Sequence, residues 1–256
     1  MLQTRVIPCL QLVGESLVKT VRFGKWGYIG DPVNTVRIFN ELEVDELAFV
    51  DIRASKEGQE PNYAVLKEIA DECFMPLSYG GGINSVEKAR RVFGLGFEKV
   101  ILNTAAFRKP ALIADIAAIY GSQAVVVAVD VKKNFWGKYE VYSLSGTVNE
   151  KKDPVSWVQE VEKQGAGEIL LTSIDREGTW KGLDTDLVRL VTANTSLPVI
   201  AHGGASSIEH IGAAVHGGGA SAVALGSMVV YQGKDLGVLV NFPDRQKLAG
   251  MLRSQI

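Results

Sequence analysis

Cysteine and histidine are scarce in this sequence. Its 256 residues include two cysteines, Cys9 and Cys73, and three histidines. Two distant cysteines form neither a disulfide framework nor the paired spacing of a zinc motif, and no histidine spacing completes a metal site. We expect no metal and no cofactor, and we expect both cysteines to be small buried apolar residues.

Long apolar runs and an excess of either charge are also missing. No run reaches the roughly 18–20 apolar residues that cross a membrane, and the first residues lack the apolar core of a signal peptide. The formal net charge is −2, with no basic patch typical of nucleic-acid or membrane-surface binding. We expect a cytoplasmic protein that binds no nucleic acid and does not insert into a membrane.

Short β-branched runs alternate with amphipathic stretches along the whole chain. The runs are Arg5–Leu10, Glu46–Ile52, Leu77–Tyr79, Lys99–Leu102, Ala124–Val131, Glu168–Ser173, Val199–Ala201 and Ala222–Leu225. Helical patterns lie between them, at Asn62–Asp71, Ser85–Phe93, Ala111–Tyr120, Pro154–Gln164, Leu187–Ala193 and Ile208–His216. Eight such βα units close most naturally into a parallel barrel. We predict an α/β fold, a TIM barrel, as a single (β/α)8 domain over residues 1–256.

The two halves of the sequence resemble each other. Residues 75–89, MPLSYGGGINSVEKA, match residues 197–211, LPVIAHGGASSIEHI, at an offset of about 122 residues that recurs elsewhere. An internal duplication of a half barrel explains this repeat. Two longer segments follow odd strands, a loop at Gly14–Asp31 and a hairpin at Lys132–Lys152, and segments at that end of a barrel usually serve the site.

Glycine-rich turns follow the third and seventh predicted strands, and small polar residues follow the fourth and eighth. Glycines let backbone N–H groups approach an anion at a βα turn. We predict two phosphate-binding corners, one in each half of the chain. The first corner consists of Gly81, Gly82, Asn103 and Thr104, and the second of Gly203, Gly204, Gly226 and Ser227. Purely structural tight turns are the alternative interpretation.

Asp130 ends the fifth predicted strand, within an otherwise apolar run. A carboxylate at the mouth of a barrel can act as a general acid or base; alternatively, it hydrogen-bonds the following loop. Gln11 ends the first strand, at the matching position, and an amide cannot exchange a proton near neutral pH. Chemistry that needs two opposed carboxylates is therefore in doubt.

Other polar residues lie at or just beyond strand ends. Lys19 is expected to pair with a phosphate, to close a loop, or to be a solvated surface lysine. Asp51 is expected to support Lys19 or a substrate hydroxyl, and Thr172 to face the site. Residues 176–179 (REGT) are candidates for polar groups in the second corner.

Four charged residues lie where strands enter the other end of the barrel. These residues are Arg5, Glu46, Lys99 and Glu168. Two positive and two negative charges there form either a ring that gates or docks a partner, or ordinary surface salt bridges. Desolvated charges stabilise a fold less than apolar packing does, so a gate or docking role is one reason for their presence.

Taken together, these residues resemble a known family, the cyclase subunits of imidazole glycerol phosphate synthase. The resemblance covers all but the last twenty or so residues. The motifs that carry the resemblance are Arg5-Val-Ile-Pro-Cys-Leu10, Gly30-Asp-Pro32, Val44-Asp-Glu-Leu47, Gly80-Gly-Gly-Ile83, Gly121-Ser-Gln123, residues 165–176 (GAGEILLTSIDR) and Gly203-Gly204. The resemblance implies a (β/α)8 barrel that docks a glutaminase subunit on its N-terminal face. It also implies that ammonia passes through the barrel to a phosphorylated small-molecule substrate, a ribulosyl nucleotide.

The same resemblance implies roles for single residues. The family's charged gate matches Arg5, Glu46, Lys99 and Glu168 here, and its strand-five catalytic aspartate matches Asp130. Its phosphate residues match both predicted corners, and its loop lysine matches Lys19.

Gln11 departs from the family, which has an acid/base aspartate there. Glu177 replaces another aspartate, and residues 24–30 and 241–244 differ as well. These departures resemble a branch associated with surface-polysaccharide genes. That branch is thought to supply ammonia, through a separate amidotransferase, for amidation of a lipopolysaccharide sugar. The alternatives are a working histidine-pathway cyclase–lyase that tolerates Gln11, and a non-catalytic scaffold that activates its glutaminase.

Overall fold

The structure is a computed structural model that describes residues 4–253. Its strands are β1 (Arg5–Val13), β2 (Ser16–Thr20), β3 (Trp26–Gly30), β4 (Leu47–Asp51), β5 (Leu77–Gly80), β6 (Lys99–Leu102), β7 (Val125–Lys133), β8 (Tyr139–Ser143), β9 (Val148–Asn149), β10 (Glu168–Ser173), β11 (Val199–His202) and β12 (Ala222–Leu225). Its helices are α1 (Pro32–Glu41), α2 (Ala54–Glu57), α3 (Tyr63–Glu72), α4 (Val86–Gly94), α5 (Thr104–Arg108), α6 (Ala111–Tyr120), α7 (Pro154–Lys163), α8 (Thr185–Thr192), α9 (Ile208–Gly212), α10 (Ser227–Val230) and α11 (Arg245–Arg253).

Eight of these strands form a closed parallel barrel. Their order is β1, β4, β5, β6, β7, β10, β11 and β12, and β12 pairs with β1 to complete the circle. Alternate residues of each strand face the helices, where they join one large apolar cluster, or face the barrel interior. The predicted TIM barrel is confirmed. No helix within residues 4–253 is long and apolar enough to cross a membrane.

Two antiparallel extensions rise from the first strand of each half. β7 turns back into β8, with Asp130 opposite Tyr142, so the predicted hairpin is confirmed. The predicted loop over Gly14–Asp31 is wrong, because β2 and β3 form a hairpin on β1. Most of β3 is exposed and it contains two glycines, so no apolar alternation marks it as a strand in the sequence.

The half-barrel duplication is visible in how helices begin. α1 and α7 both start with an aspartate N-cap followed by proline, at Asp31-Pro32 and Asp153-Pro154. α4 and α9 both begin after a serine N-cap. The predicted helix over Ile208–His216 is shorter than expected, because α9 ends at Gly212 and a π-helical turn follows over Ala213–Gly217. A period of 3.6 residues does not distinguish these two conformations. The single domain over 1–256 stays a prediction.

Candidate functional site

A cavity of about 510 Å³ opens at the carboxyl ends of the barrel strands. The β2–β3 hairpin contributes Phe23 and Trp26 to its wall, and the turn between β8 and β9 contributes Ser145 and Thr147. The two longer segments therefore border the site, as the sequence predicts. The predicted site residues that line this cavity are Gln11, Asp51, Gly81, Gly82, Asn103, Thr104, Asp130 and Thr172.

The first corner lies in the wall of this cavity, and its two glycines are required by their surroundings. Gly81 has φ 128° and Gly82 has φ 69°. A Cβ on Gly81 would lie 2.7 Å from the Asp51 Cβ, and one on Gly82 would lie 2.7 Å from the Gln59 carbonyl oxygen. The chain thus presents bare backbone to the cavity, which is what a bound anion needs.

Asn103 and Thr104 complete the first corner and are held by neighbouring elements. The Asn103 amide donates to the Ala128 carbonyl over 3.0 Å and to an Asp130 carboxylate oxygen over 3.3 Å. The Thr104 hydroxyl accepts from the Leu144 backbone N–H over 3.0 Å. The corner is therefore coupled directly to Asp130, the acid predicted at the end of β7.

The second corner has the same backbone form. Gly203 and Gly204 have φ 99° and 103°. Gly226, at φ −104° and ψ −95°, repeats the unusual conformation of Asn103, at φ −123° and ψ −84°. Ser227 follows Gly226 as Thr104 follows Asn103. The duplication has therefore preserved the geometry of both corners.

The contents of the two corners differ. The second corner borders a recess of only about 10 Å³, and His202 lines both this recess and the main cavity. Lys19 and Glu177 line this recess beside Gly203 and Gly226. A Cβ on Gly226 would lie 2.8 Å from the Lys19 Cε, so the lysine side chain lies directly on the glycine.

Lys19 is buried, and the expectation of a solvated surface lysine is wrong. Its ammonium forms an ion pair with Glu177 and donates to the Thr20 carbonyl over 2.8 Å. The Lys19 side chain is 4% exposed and the Glu177 side chain is 1% exposed. The β2–β3 hairpin buries the lysine, because all four residues 17–20 of β2 are covered rather than alternately exposed.

Glu177 accepts several further hydrogen bonds. The Thr20 hydroxyl donates to it over 3.0 Å, the Phe23 backbone N–H over 3.1 Å, and the Gln11 amide over 3.5 Å. The sequence indicated residue 177 as a polar group of the second corner, but nothing in it predicted the pairing with Lys19. The only signal was a glutamate that is one carbon longer than the aspartate of the resembling family.

Gln11 has a structural task in this network. Its side-chain oxygen accepts from the Thr20 backbone N–H over 2.8 Å and lies 3.1 Å from the Thr20 hydroxyl, whose single proton it shares with Glu177. The side chain lines the cavity but is only 6% exposed. The amide therefore ties β1 to the hairpin instead of supplying an acid.

Asp130 is the candidate acid/base group of the cavity. Its carboxyl group is buried, and burial raises its pKa to about 7, because the charged form is poorly solvated there. A group with this pKa can both accept and release a proton near neutral pH. Burial and the nearby Lys19 ammonium lower the pKa of His202 to about 4, so this neighbouring imidazole is neutral.

Thr172 and Asp51 have more limited contacts. The Thr172 hydroxyl lies 3.2 Å from the His202 Nδ1. Asp51 accepts from the backbone N–H groups of Arg53 and Ala54, both over 2.9 Å. The expected support of Lys19 by Asp51 is therefore not found, since the carboxylate beside Lys19 belongs to Glu177.

At the opposite end of the barrel, the four predicted charges form one alternating ring. Arg5 contacts Glu46 at 2.5 Å and also contacts Glu168. The Lys99 ammonium lies 3.0 Å from Glu46 and 3.1 Å from Glu168. Both carboxylates are nearly fully buried, so these contacts differ from ordinary surface salt bridges.

Apolar side chains fill the interior between the ring and the cavity. They are Ile7, Cys9, Ala48, Ile101, Val126, Ala128, Leu170, Ile200, Ala222 and Ala224. Many of these side chains are small. Burial raises the pKa of the Cys9 thiol to about 12, so the thiol is protonated and the whole lining is uncharged. Cys73 is only half-buried, so the expectation of two buried cysteines fails for it. Within residues 4–253, no group of three or more acidic, histidine or cysteine side chains is arranged for a metal.

The chain is similar to known proteins over most of its length. The histidine biosynthesis protein family matches residues 5–235. A Pseudomonas aeruginosa protein named "Putative imidazole glycerol phosphate synthase subunit hisF2" is 50% identical over 248 residues, which cover 97% of this chain and 99% of that protein. A Vibrio vulnificus protein with the corresponding hisF3 name is 44% identical over 95% of this chain and 94% of its own length. The imidazole glycerol phosphate synthase subunit HisF of Chlorobium limicola is 45% identical over 82% of this chain and 84% of its own length.

Proposed function

This chain belongs to the histidine biosynthesis family, as a HisF-type imidazole glycerol phosphate synthase subunit, and from that premise we propose that it conducts ammonia from a glutaminase subunit to an acceptor. In this proposal the glutaminase docks on the face that carries the ring of Arg5, Glu46, Lys99 and Glu168. Ammonia then passes along the uncharged interior to the cavity, where a phosphorylated substrate is held at the first corner.

We propose further that the acceptor is a sugar destined for lipopolysaccharide, which a separate amidotransferase amidates. The observation that carries this choice is Gln11, whose amide is committed to Thr20 and cannot exchange a proton. Asp130 remains as an acid/base group, but the chain has no second carboxyl group at the matching strand end. In this proposal the uncharged interior is the route for ammonia, whereas a two-acid cyclase centre lacks its second carboxyl group.

One observation favours the alternative of a working cyclase–lyase, which makes imidazole glycerol phosphate and an aminoimidazole carboxamide ribotide. Asp130 has a pKa suited to proton transfer near neutral pH, and the first corner is intact beside it. The third candidate, a non-catalytic scaffold for the glutaminase, is disfavoured by the open cavity of about 510 Å³ and its preserved first corner, which a pure scaffold has no need of.

A turnover measurement separates these functions. The protein and its Gln11→Asp variant are supplied with the ribulosyl nucleotide and excess ammonium, so that no glutaminase is needed. We expect no cyclase turnover from the protein itself, because one carboxyl group is missing. Turnover at ordinary enzyme rates would overturn the sugar-amidation proposal in favour of the cyclase. A Gln11→Glu variant tests whether any added carboxyl group is sufficient.

A further inference from the structure

The second corner already contains an anion of its own. The Glu177 carboxylate is fully buried and receives hydrogen bonds from the Lys19 ammonium, the Thr20 hydroxyl and the Phe23 backbone. These donors supply the hydrogen bonds that a buried carboxylate needs. Lys19, the cation that would otherwise attract a ligand phosphate, is thereby already paired with a carboxylate of the protein.

Space in this corner is as limiting as charge. A cavity needs about 10–15 Å³ to hold a single water molecule, and the recess beside Gly203 and Gly226 offers about 10 Å³. A phosphate group would have to displace the Lys19 side chain, which lies on Gly226. It would also approach the Glu177 carboxylate, and two like charges in a buried site repel each other strongly.

The first corner has no equivalent obstruction. Gly81 and Gly82 line the open cavity of about 510 Å³, and the ion pair in the wall of that cavity, Arg53 with Glu57, is partly exposed, unlike the buried pair of Lys19 and Glu177. The Gly82 backbone N–H donates to the Ser55 hydroxyl over 3.2 Å. Because this hydroxyl is neutral, a ligand phosphate can displace it without charge repulsion. The duplicated backbone is thus available to a ligand in one half of the barrel only.

From this asymmetry we propose that Glu177 serves as a built-in substitute for a ligand phosphate at the second corner, and that the site binds ligands with a single phosphate group, seated at the first corner. This inference rests on the proposed function, in which the first corner holds the phosphate of the substrate. The remainder of the ligand then extends past Asp130, Thr172 and Gln11, which offer hydrogen bonds but no cation. A sugar or polyol monophosphate fits that description, and a second phosphate at the far end of a ligand finds no binding site of its own.

Calorimetric titration with two commercially available compounds tests this proposal. Ribose 5-phosphate carries one phosphate and ribulose 1,5-bisphosphate carries two. We expect the protein to bind the two compounds with affinities within about threefold of each other, because only one phosphate finds a site. In the Glu177→Gln variant, Lys19 is released from its ion pair, and we expect bisphosphate affinity to rise at least tenfold while monophosphate affinity stays unchanged.

The control is Glu72→Gln, which removes a carboxylate that pairs with Arg37 at the C-terminal end of α3, at the opposite end of the barrel from the two corners. It should leave the ratio of the two affinities as in the unmodified protein. If the unmodified protein itself prefers the bisphosphate by tenfold or more, the single-phosphate proposal is wrong while phosphate binding stands. If neither compound binds, the proposed phosphate site fails as well. The measurement on the unmodified protein decides the question even if Glu177→Gln does not fold.

Discussion

The two corners of the barrel have nearly the same backbone and very different contents. Each has two consecutive glycines at positive φ and a strand-end residue in the same unusual conformation. The first faces an open cavity, whereas the second is filled by an ion pair from two other segments, Lys19 of β2 and Glu177 after β10. A duplicated backbone therefore does not imply a duplicated ligand, because side chains that differ between the two halves decide what enters.

The largest effect should come from breaking the pair that fills the second corner. Lys19→Met leaves the Glu177 carboxylate buried without its cation, and we expect the free energy of unfolding to fall by about 3–5 kcal/mol. Adding Glu177→Gln removes the stranded charge, so the double variant should be more stable than Lys19→Met alone. Urea unfolding of the three proteins measures this. Lys56→Met, beside the first corner, is the control and should change stability by less than about 0.5 kcal/mol.

If the double variant is as unstable as Lys19→Met, the carboxylate is not what the lysine stabilises. The contrast between a filled and an open corner would then depend on packing alone.

The next effect concerns the two strand ends that differ in chemistry, Asp130 on β7 and Gln11 on β1. The pKa of Asp130 is about 7 in the folded protein, against an ordinary value of 3.8. Between these two values the folded state keeps a proton that the unfolded state has lost, so the free energy of unfolding falls as pH rises and levels off above about pH 7. Asp130→Asn has no such titration.

Asp130→Asn should therefore be more stable than the unmodified protein at about pH 8, by no more than about 4 kcal/mol, the equivalent of three pKa units. The difference should vanish near pH 4. Urea unfolding at several pH values provides the test. A stability difference that stays constant over this range would show that the Asp130 carboxyl group is not buried as described.

A matched pair of glycine variants compares the two corners as binding sites. Gly81→Ala and Gly203→Ala both place a Cβ at positive φ within 2.7 Å of another atom, so each should reduce stability. We expect only Gly81→Ala to weaken ribose 5-phosphate binding, by at least tenfold, about 1.4 kcal/mol. Titration calorimetry below the melting temperature of each variant measures it. Equal losses at both positions would contradict the assignment of the phosphate to the first corner.

The smallest expected effect lies at the ring of Arg5, Glu46, Lys99 and Glu168, to which each half of the chain contributes one glutamate. Glu46 and Glu168 lie at equivalent positions of the repeat, and Lys99 contacts both. Lys99→Glu should repel these carboxylates and disturb the ring. We expect amidation with glutamine to fall about fivefold further than amidation with ammonium, about 1 kcal/mol. Equal effects on both reactions would exclude a role of the ring in passing ammonia.

The sequence predicts those parts of the site that depend on strand ends. In a parallel barrel all carboxyl ends meet at one face, so placing Asp130 and Thr172 on strands and Gly81 just after one was enough to bring them to one cavity. The same reasoning brought Arg5 and Glu46 together at the other end. Their contacts follow from the topology, which the alternating apolar runs made clear.

The pairing of Lys19 with Glu177 could not be predicted, because it depends on how two distant segments, one in each half, fold against each other. The β2–β3 hairpin was expected to be a loop, and a loop fixes no direction for Lys19. Once β2 pairs antiparallel with β1, residue 18 lies opposite Gln11 and Lys19 is buried next to it. Asp51 was the nearer acid in sequence, but its carboxylate is used by the turn into α2.

The pairing of β1 with β12 places a constraint on how the chain is made. Arg5 lies opposite Ala222, so the first strand finds its second neighbour only when the last barrel strand has been synthesised. Until then, β1 has one edge of unpaired backbone groups beside apolar residues such as Val6 and Leu10, which is the kind of edge that promotes aggregation. During synthesis on the ribosome, the time spent with this edge open is therefore set by translation of nearly the entire chain.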